Sequence, residues 1–271
     1  MKRILFISDF HYCQDSYGEI SIDEKAQRLI NQINEEHQKH PIDYILMLGD
    51  YSLDHWGWFS KGTYLTKGES YTARFFEKYV KKLPAPYFAL AGNHEQYGEK
   101  TWMKITGNAR NGAVALDDTV FIMWDSYGAD LDPTEHSDGT YTPPNVNEIR
   151  KIMEQNKGKK IILCSHYFKP CYTKEEIALI NDPSIKCLFV GHSHYACAED
   201  LPKEYGSKKM IHCGSFSGIS PTEKYPWGIR DLYIDENGLV SSYLVAEHDL
   251  YQNGKPYKIN AHTQDEIKLL F

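Results

Sequence analysis

Five short apolar segments of the chain are each followed, directly or after one glycine or serine, by aspartate, asparagine or histidine residues. The segments have the length and the β-branched and aromatic content of buried strands. With the polar residues that follow them, they are Ile4–Ser8 before Asp9 and His11, Tyr44–Leu48 before Gly49 and Asp50, Tyr87–Ala91 before Gly92, Asn93, His94 and Glu95, Ile161–Cys164 before Ser165 and His166, and Cys187–Val190 before Gly191, His192 and His194. The chain must therefore fold so that several buried strands end at polar groups.

Helical patterns separate these segments, and alternating strands and helices indicate βαβ units with a largely parallel sheet. Parallel strands place their carboxyl ends at one edge, which is where α/β sheets bind ligands. We therefore expect the polar residues to converge in space. Glycines at 49, 92 and 191 fit tight turns in which the backbone passes close to a ligand.

Each of these pieces alone is weak evidence for a metal site. An Asp-x-His sequence after a strand is commonly a cap or a surface turn, and a lone buried histidine is usually hydrogen-bonded in a core. A Gly-His-Ser-His stretch could be a turn or a simple metal site. Five such pieces, each at a strand end, together predict a metal centre.

The wider pattern predicts further elements. Strands are predicted at Arg3–Ser8, Tyr44–Leu48, Tyr87–Ala91, Val120–Trp124, Lys160–Cys164, Lys186–Val190, Met210–Cys213, Asp231–Ile234 and Leu239–Val245. Helices are predicted after Ser21, whose spacing to Glu24 is that of a capping box, near Asn145, and at Tyr71–Lys82 and Lys174–Asn181. The C-terminal region lacks a strong helix pattern, so its strands are expected to form hairpins or a second sheet.

No linker or repeat interrupts the chain, so we predict one domain over residues 1–271, with a motif-bearing core at about 3–215 and C-terminal strands and a tail at 216–271. A chain of 271 residues buries enough apolar surface to fold without a structural metal. Any metal site is therefore expected to be catalytic.

The formal charge of −7 argues against stable binding to nucleic acid or anionic membranes, although bound metals can still attract an anionic substrate. The six cysteines are scattered, without a CxxC pair. With no signal peptide and no apolar run long enough to span a bilayer, a cytoplasmic location is expected. The sequence does not indicate an oligomeric state.

As an ordered set, the motifs resemble the pattern of the calcineurin-like metallophosphoesterase superfamily, which is D-x-H, G-D, G-N-H-[DE], H and G-H-x-H. The matching residues, within a resemblance over roughly residues 3–215, are Asp9-Phe10-His11, Gly49-Asp50, Gly92-Asn93-His94-Glu95, His166 and Gly191-His192-Ser193-His194. The resemblance implies an α/β fold in which two β-sheets pack as a sandwich flanked by helices, in four layers (αββα).

The resemblance also implies roles for individual residues. Two metal ions would share Asp50, with Asp9, His11 and His194 completing the first site and Asn93, His166 and His192 completing the second. His94 would not be a ligand but would lie near the leaving-group oxygen, as a general acid or transition-state stabiliser. Glu95 would orient or charge the His94 imidazole, or be only a surface carboxylate.

Mixed imidazole and oxygen donors suit two divalent or mixed-valence ions of manganese, iron or zinc, and disfavour calcium. Two divalent ions and two aspartates leave a net charge of about +2, which attracts phosphate. A bridging carboxylate holds such ions about 3.5–4 Å apart, and their water ionises near neutral pH. The expected nucleophile is a metal-bridging hydroxide attacking phosphorus in line.

The substrate class follows less directly. Serine/threonine protein phosphatases share Gly-Asn-His-Glu but carry two arginines that clamp phosphate, at places that read Ala91 and Tyr51–Asp54 here. Chain length, Asp125-Ser126 and Gly-His-Ser-His are closer to the small bacterial phosphodiesterases, including those similar to cyclic-nucleotide phosphodiesterases. We therefore expect a phosphodiesterase with a small, nucleotide-like phosphorylated substrate. The alternatives are a phosphomonoesterase, a nuclease, which the acidic charge disfavours, and a non-catalytic metal-binding interaction scaffold.

Two loops carry further candidates. The insert between the second and third motifs contains Trp56, Trp58, Phe59, Tyr64 and Tyr71. These rings either form a lid that stacks on a nucleobase or anchor the loop to the fold, and we favour anchoring. The second loop, Tyr127–Tyr141, is a possible rim, in which His136 and Asp138 are expected to be exposed and without function.

Overall fold

The computed structural model describes residues 1–13, 20–56, 70–131, 137–217, 225–252 and 255–271. These residues form two six-stranded sheets, a two-stranded ribbon and helices on the outer faces of the sheets. Of the helices described, none is both long and apolar enough to cross a membrane.

The first sheet combines strands from both ends of the chain. In spatial order they are β14 (His262–Leu270), β11 (Gly238–Val245), β10 (Gly228–Ile234), β1 (Lys2–Ile7), β2 (Tyr44–Met47) and β3 (Tyr87–Ala89). β1, β2 and β3 are parallel, with Ile4 opposite Tyr44 and Ile45 opposite Tyr87. β10, β11 and β14 extend the sheet with antiparallel pairing.

The second sheet has a parallel centre and antiparallel edges. In spatial order its strands are β4 (Gly112–Leu116), β5 (Thr119–Met123), β6 (Lys160–Ser165), β7 (Ile185–Val190), β9 (Lys209–Cys213) and β8 (Ala196–Asp200). β5, β6, β7 and β9 are parallel, whereas β4 and β8 each pair antiparallel at an edge. The ribbon consists of β12 (His248–Gln252) and β13 (Lys255–Ile259).

The two sheets pack face to face because their central strands are apolar on both faces. Successive side chains of a strand point to opposite faces. In β1, Ile4 and Phe6 lie in the core between the sheets, whereas Leu5 and Ile7 lie in the core beneath the helices. Phe6 of the first sheet stacks on Phe189 of the second, with ring centroids 4.3 Å apart.

Helices cover the outer face of each sheet. They are α1 (Ile22–Lys39), α2 (Tyr71–Lys78) and α3 (Glu99–Thr106) on the first sheet, and α4 (Val146–Gln155) and α5 (Lys174–Ile180) on the second. α1 begins at Ser21, whose side chain accepts a hydrogen bond from the Glu24 backbone N–H, as the capping box predicts. The four layers confirm the predicted fold class.

Every predicted strand and helix is present, with boundaries shifted by one to four residues. The alternation indicates a largely parallel sheet, and the parallel strands of the chain are divided between two sheets. The first sheet adds antiparallel strands on one side, and the second adds one at each edge. Within the described residues, one α-helix and five strands were not predicted, namely α3, β4, β8, β12, β13 and β14. Edge strands need to bury only one face, so their apolar pattern is weak.

β14 illustrates how a polar segment becomes a strand. Its residues are mostly exposed, and the strand is held in the sheet by contacts with residues far away in the chain. Asp265 accepts two hydrogen bonds from the buried Arg230 guanidinium, at 2.9 and 2.8 Å. This ion pair joins β14 to β10 across β11. The prediction of one domain over residues 1–271 stays a prediction.

Candidate metal centre

The predicted ligands follow strands of both sheets and meet in one place. β1, β2 and β3 of the first sheet and β6 and β7 of the second lead into them. Three groups of ligand atoms, each within 4.8 Å of one another, come from Asp9, His11 and His194, from His11, Asp50 and His94, and from Asp50, His166 and His192. The groups share His11 and Asp50, so they form one continuous cluster.

Asp50 lies at the centre of this cluster. Its Oδ2 atom is 3.4 Å from His11 Nε2, 3.3 Å from His166 Nε2 and 3.4 Å from His94 Nε2. Its other oxygen, Oδ1, accepts a hydrogen bond from the His94 backbone N–H at 3.1 Å. One carboxylate oxygen is therefore directed into the cluster, while the other stabilises the loop after β3.

Asn93 adds an amide oxygen to the group formed by Asp50, His166 and His192. Asn93 Oδ1 is 3.0 Å from His166 Nε2 and 3.0 Å from His192 Nδ1, and these two ring nitrogens are 3.2 Å apart. Two imidazoles and an amide oxygen thus surround one point, as the predicted second site requires.

The donor atoms fit divalent cations. Asp9 Oδ1 is buried and, within the described part of the chain, accepts no hydrogen bond. His194 Nε2 lies 3.4 Å from it and His11 Nε2 4.0 Å. A buried carboxylate oxygen without a partner is costly, and a cation bound among these donors would compensate that cost.

The backbone at the predicted ligands is strained. Left-handed φ angles, which are rare outside glycine, occur at Asp9 (+53°), His11 (+57°), Asp50 (+55°), His192 (+65°) and His194 (+63°). Such conformations cost of order 1–3 kcal/mol each and concentrate at functional sites. The surrounding fold must therefore compensate for this strain.

Glycines allow the ligand loops to approach one another closely. A Cβ atom at Gly92 would lie 2.0 Å from Asp50 Oδ1, and one at Gly191 would lie 2.0 Å from Ser8 Oγ. Gly49 combines a φ of +96° with contact to Gly92, where a Cβ would lie 2.6 Å from the Gly92 nitrogen. These contacts confirm the tight turns predicted at these positions.

Hydrogen bonds at the far side of the rings orient two imidazoles. His166 Nδ1 lies 2.6 Å from the Leu48 carbonyl oxygen, to which it can only donate, so Nε2 is left to act as a ligand. His11 Nδ1 lies 2.9 Å from Ser217 Oγ. Both rings are therefore oriented before a metal binds.

Burial lowers the pKa of His11 to about 3 and that of His192 to about 4, so both are neutral at physiological pH. Burial also disfavours the charged form of His166, but the Asp50 carboxylate outweighs it and raises that pKa to about 9. Metal ligation requires neutral imidazole, so His166 must lose its proton when a metal binds.

His94 and Glu95 differ in their relation to the cluster. His94 Nε2 belongs to a donor group with His11 and Asp50. Distance alone therefore does not separate His94 from the ligands, and its role as a non-ligand acid stays a prediction.

The Glu95 carboxylate accepts backbone hydrogen bonds from Asp50 and Ser52, both at 2.8 Å, and from Gly92 at 3.1 Å. Burial and the charge of Asp50 raise the pKa of Glu95 to about 8. Glu95 is fully buried, so the surface alternative is wrong. No hydrogen bond within the described residues joins Glu95 to the His94 ring, so the contacts indicate that Glu95 stabilises the ligand loops instead.

A cavity of about 520 Å³ opens onto the cluster. Beyond the predicted site residues it is lined by Trp56, Tyr127, Asp138, Gly139, Tyr141, Tyr167 and Lys169. Asp138, which was expected to be exposed and without function, therefore lies at the cavity. Tyr71 instead packs in the core at the start of α2, as anchoring predicts. Trp58, Phe59, Tyr64 and His136 lie outside the described residues.

Several residues that support the site were not predicted from the sequence. Lys25 is fully buried, and its ammonium donates to the Phe10 carbonyl at 2.7 Å, which ties α1 to the first ligand loop. Ser8 donates to Asp9 Oδ2, and Ser217 contacts His11. No local pattern marks these residues, because their partners are set by the tertiary fold.

Replacing Gly92 by alanine should displace the Asp50 carboxylate, because the new methyl group would overlap it. We expect a decrease of about 1–3 kcal/mol in the free energy of unfolding. We also expect manganese affinity, measured by calorimetric titration, to fall about 10–100-fold, as for other losses of groups that support ligands. Gly128→Ala is the control, since its Cβ would lie 3.8 Å from Asp125 Oδ2. Equal affinities for the two variants would contradict this prediction.

Comparison with solved structures finds the same fold in proteins of low identity. A purple acid phosphatase from yellow lupin (Lupinus luteus) seeds superposes with a TM-score of 0.56 at 12% identity, covering 95% of this chain and 52% of that one. The chain thus spans about half the length of the lupin phosphatase. GAP50 of Plasmodium, described as the anchor in the inner membrane complex, gives a TM-score of 0.54 at 15% identity over 96% and 89% of the two chains.

A Streptococcus pneumoniae protein described as a predicted phosphoesterase is 13% identical over 95% of this chain and 98% of that one, with a TM-score of 0.41. No match was found among curated proteins. The family model of the calcineurin-like phosphoesterases matches residues 2–196, the part of the chain that carries all the ligand loops. The chain therefore belongs to the calcineurin-like phosphoesterase family.

Proposed function

We propose that this protein uses two metal ions to hydrolyse a small, nucleotide-like phosphodiester. The observation that carries the proposal is the position of Asp50 Oδ2, which is 3.4 Å from His11 Nε2 and 3.3 Å from His166 Nε2. A carboxylate between two imidazole groups is suited to bridge ions about 3.5–4 Å apart, as in two-metal hydrolases.

The first ion would be held by Asp9, His11, His194 and Asp50, and the second by Asn93, His166, His192 and Asp50. This mixture of imidazole, carboxylate and amide donors suits manganese, iron or zinc. When bound, such ions polarise phosphoryl oxygens and lower the pKa of water, which supplies a nucleophile near neutral pH.

His94 would act on the leaving group. Its ring lines the cavity, and its backbone N–H is fixed by Asp50 Oδ1. Burial lowers the pKa of His94. A phosphate anion bound beside the ring would favour the protonated imidazole, which could then donate its proton to the departing oxygen.

The charge of the cavity favours a diester over a monoester. Among the described residues that line it, Lys169 is the one lysine or arginine. A phosphomonoester carries a charge of about −1.5 to −2 at neutral pH, whereas a diester carries a single negative charge. A diester therefore needs fewer cationic side chains around its phosphoryl group.

Aromatic rings beside the cluster favour a substrate with a planar group. The Trp56 ring lies 5.4 Å from the His94 ring, and the Tyr167 ring lies 4.6 Å from the His192 ring, centroid to centroid. Base–aromatic stacking stabilises nucleotide binding by about 1–3 kcal/mol per base. A nucleotide-like substrate would use both the metal ions and this aromatic lining.

The ester preference can be measured with metal-depleted protein resupplied with manganese. We expect bis-nitrophenyl phosphate to be hydrolysed with a higher kcat/KM than nitrophenyl phosphate, because one negative charge suits this cavity better than two. A preference for the monoester would contradict the diesterase proposal and indicate a phosphomonoesterase. If the protein binds metals but hydrolyses neither ester, the result would contradict a phosphoesterase of broad specificity. It would favour the non-catalytic interaction scaffold.

Asp50→Asn should impair both proposed sites, because Asp50 Oδ2 lies 3.4 Å from His11 Nε2 of the first site and 3.3 Å from His166 Nε2 of the second. We expect metal content, measured by elemental analysis after dialysis, to fall clearly below two ions per chain, with loss of diesterase activity. Asp138→Asn provides the control, since Asp138 lines the same cavity outside the donor groups. Two tightly bound ions in the Asp50 variant would exclude its bridging role.

His94→Ala should retain its metals but lose turnover. If His94 protonates the leaving group, alkyl diesters should lose about 10²–10⁴-fold in kcat, whereas nitrophenyl diesters, whose leaving group departs without a proton, should lose much less. Equal losses would indicate electrostatic stabilisation by the imidazole instead. Loss of a metal ion from this variant would make His94 a ligand and contradict the assignment.

A further inference from the structure

Tyr127 has a position in the cavity that the proposed chemistry has not used. It follows β5, in the second sheet, and its ring lies 5.8 Å from the His166 ring and 6.1 Å from the His192 ring, centroid to centroid. Both imidazoles belong to the donor group that also contains Asp50. The phenol is therefore next to the point where a phosphoryl group would bind.

The Tyr127 backbone is fixed at both of its polar atoms. Its N–H donates to Asp125 Oδ1 at 2.9 Å, and its carbonyl accepts from Arg110 Nη2 at 3.1 Å. Arg110 and Asp125 are themselves a buried ion pair, with Nε and Oδ2 2.5 Å apart. These bonds orient Tyr127 before any ligand binds.

The Tyr127 ring is fixed as well. Gly139 lies against it, with a φ of +74°, and a Cβ atom at that position would come within 2.8 Å of Tyr127 Cδ1. The neighbouring rings of Tyr141 and Tyr167 lie 6.4 Å away. Only glycine fits at position 139 without displacing the phenol.

The hydroxyl of this fixed side chain is available to a ligand. Tyr127 is only 6% exposed, and its hydroxyl makes no hydrogen bond to any atom of the described residues. The hydroxyl oxygen is nevertheless accessible from the cavity that Tyr127 lines. A ligand in the cavity can therefore accept a hydrogen bond from it.

We propose that the Tyr127 phenol donates a hydrogen bond to a non-bridging phosphoryl oxygen of the bound ester, beside His166 and His192. This inference rests on the proposed function, because it assumes that a phosphoryl group binds there. A hydrogen bond to a charged oxygen is stronger than one between neutral groups. The phenol is also neutral, so it stabilises a singly charged diester without adding charge to the cavity.

Tyr127→Phe tests this assignment because it removes the hydroxyl without removing a hydrogen bond to any residue that the structure describes. Tyr172→Phe is the control, with the same chemical change on a side chain that is 55% exposed and does not line the cavity. Inorganic phosphate is titrated calorimetrically into both manganese-loaded variants and the wild-type protein. kcat/KM for bis-nitrophenyl phosphate, metal content and Tm are measured on the same samples.

We expect the Kd for phosphate to rise and kcat/KM to fall by about 10–100-fold in Tyr127→Phe, the effect of one lost hydrogen bond to a charged group. Metal content and Tm should match those of the control. Unchanged phosphate affinity, or absence of phosphate binding by the wild-type protein, would overturn the assignment. Loss of metal from Tyr127→Phe would also overturn it, since the tyrosine would then be structural.

Phosphate binding separates this proposal from the proposed function. If the wild-type protein binds phosphate but hydrolyses no ester, the proposed function fails. Weaker phosphate binding by Tyr127→Phe would still support the contact in that case.

Discussion

The buried Asp50 carboxylate is the group around which the candidate centre is organised. Its Oδ2 atom lies within 3.4 Å of three imidazole nitrogens, and the attached backbone N–H is bonded to Glu95. A buried anion is costly unless cations or hydrogen bonds compensate it. The loops of both sheets must therefore place their imidazoles around Asp50. These loops follow strands that are distant in sequence.

The sandwich provides the rigidity that this arrangement needs. Left-handed backbone at five ligand residues costs several kcal/mol in total. The strands that lead into these residues pack between two apolar cores, where side chains such as Phe6 and Phe189 stack. Glu95 adds three backbone hydrogen bonds that join the loops after β2 and β3. Packing and buried hydrogen bonds thus offset strain that isolated loops would relax.

The ligands could be predicted from the sequence because each follows a strand directly, so strand ends and residue types together indicated the site. Gly92 and Gly191 were also predictable, since only a missing side chain permits such close approach. Residues whose partners come from distant segments were not predictable. Arg110 is an example, because nothing near it in the sequence indicates that it binds Asp125 and three carbonyl groups. β14 escaped prediction for the same reason, since Arg230 is its buried partner.

Arg110 also links two of the loops that line the cavity. Its guanidinium donates to the Glu95 carbonyl at 3.3 Å, in the loop after β3, and to the Tyr127 carbonyl at 3.1 Å, in the loop after β5. His94 lies on the first of these loops. A single buried cation therefore sets the distance between the imidazole proposed to act on the leaving group and the phenol proposed to bind the phosphoryl oxygen. Catalysis by orientation depends on such distances, because a misplacement of about 1 Å can cost 10²-fold in rate. Keeping this guanidinium buried is thus a requirement of the proposed chemistry as well as of the fold.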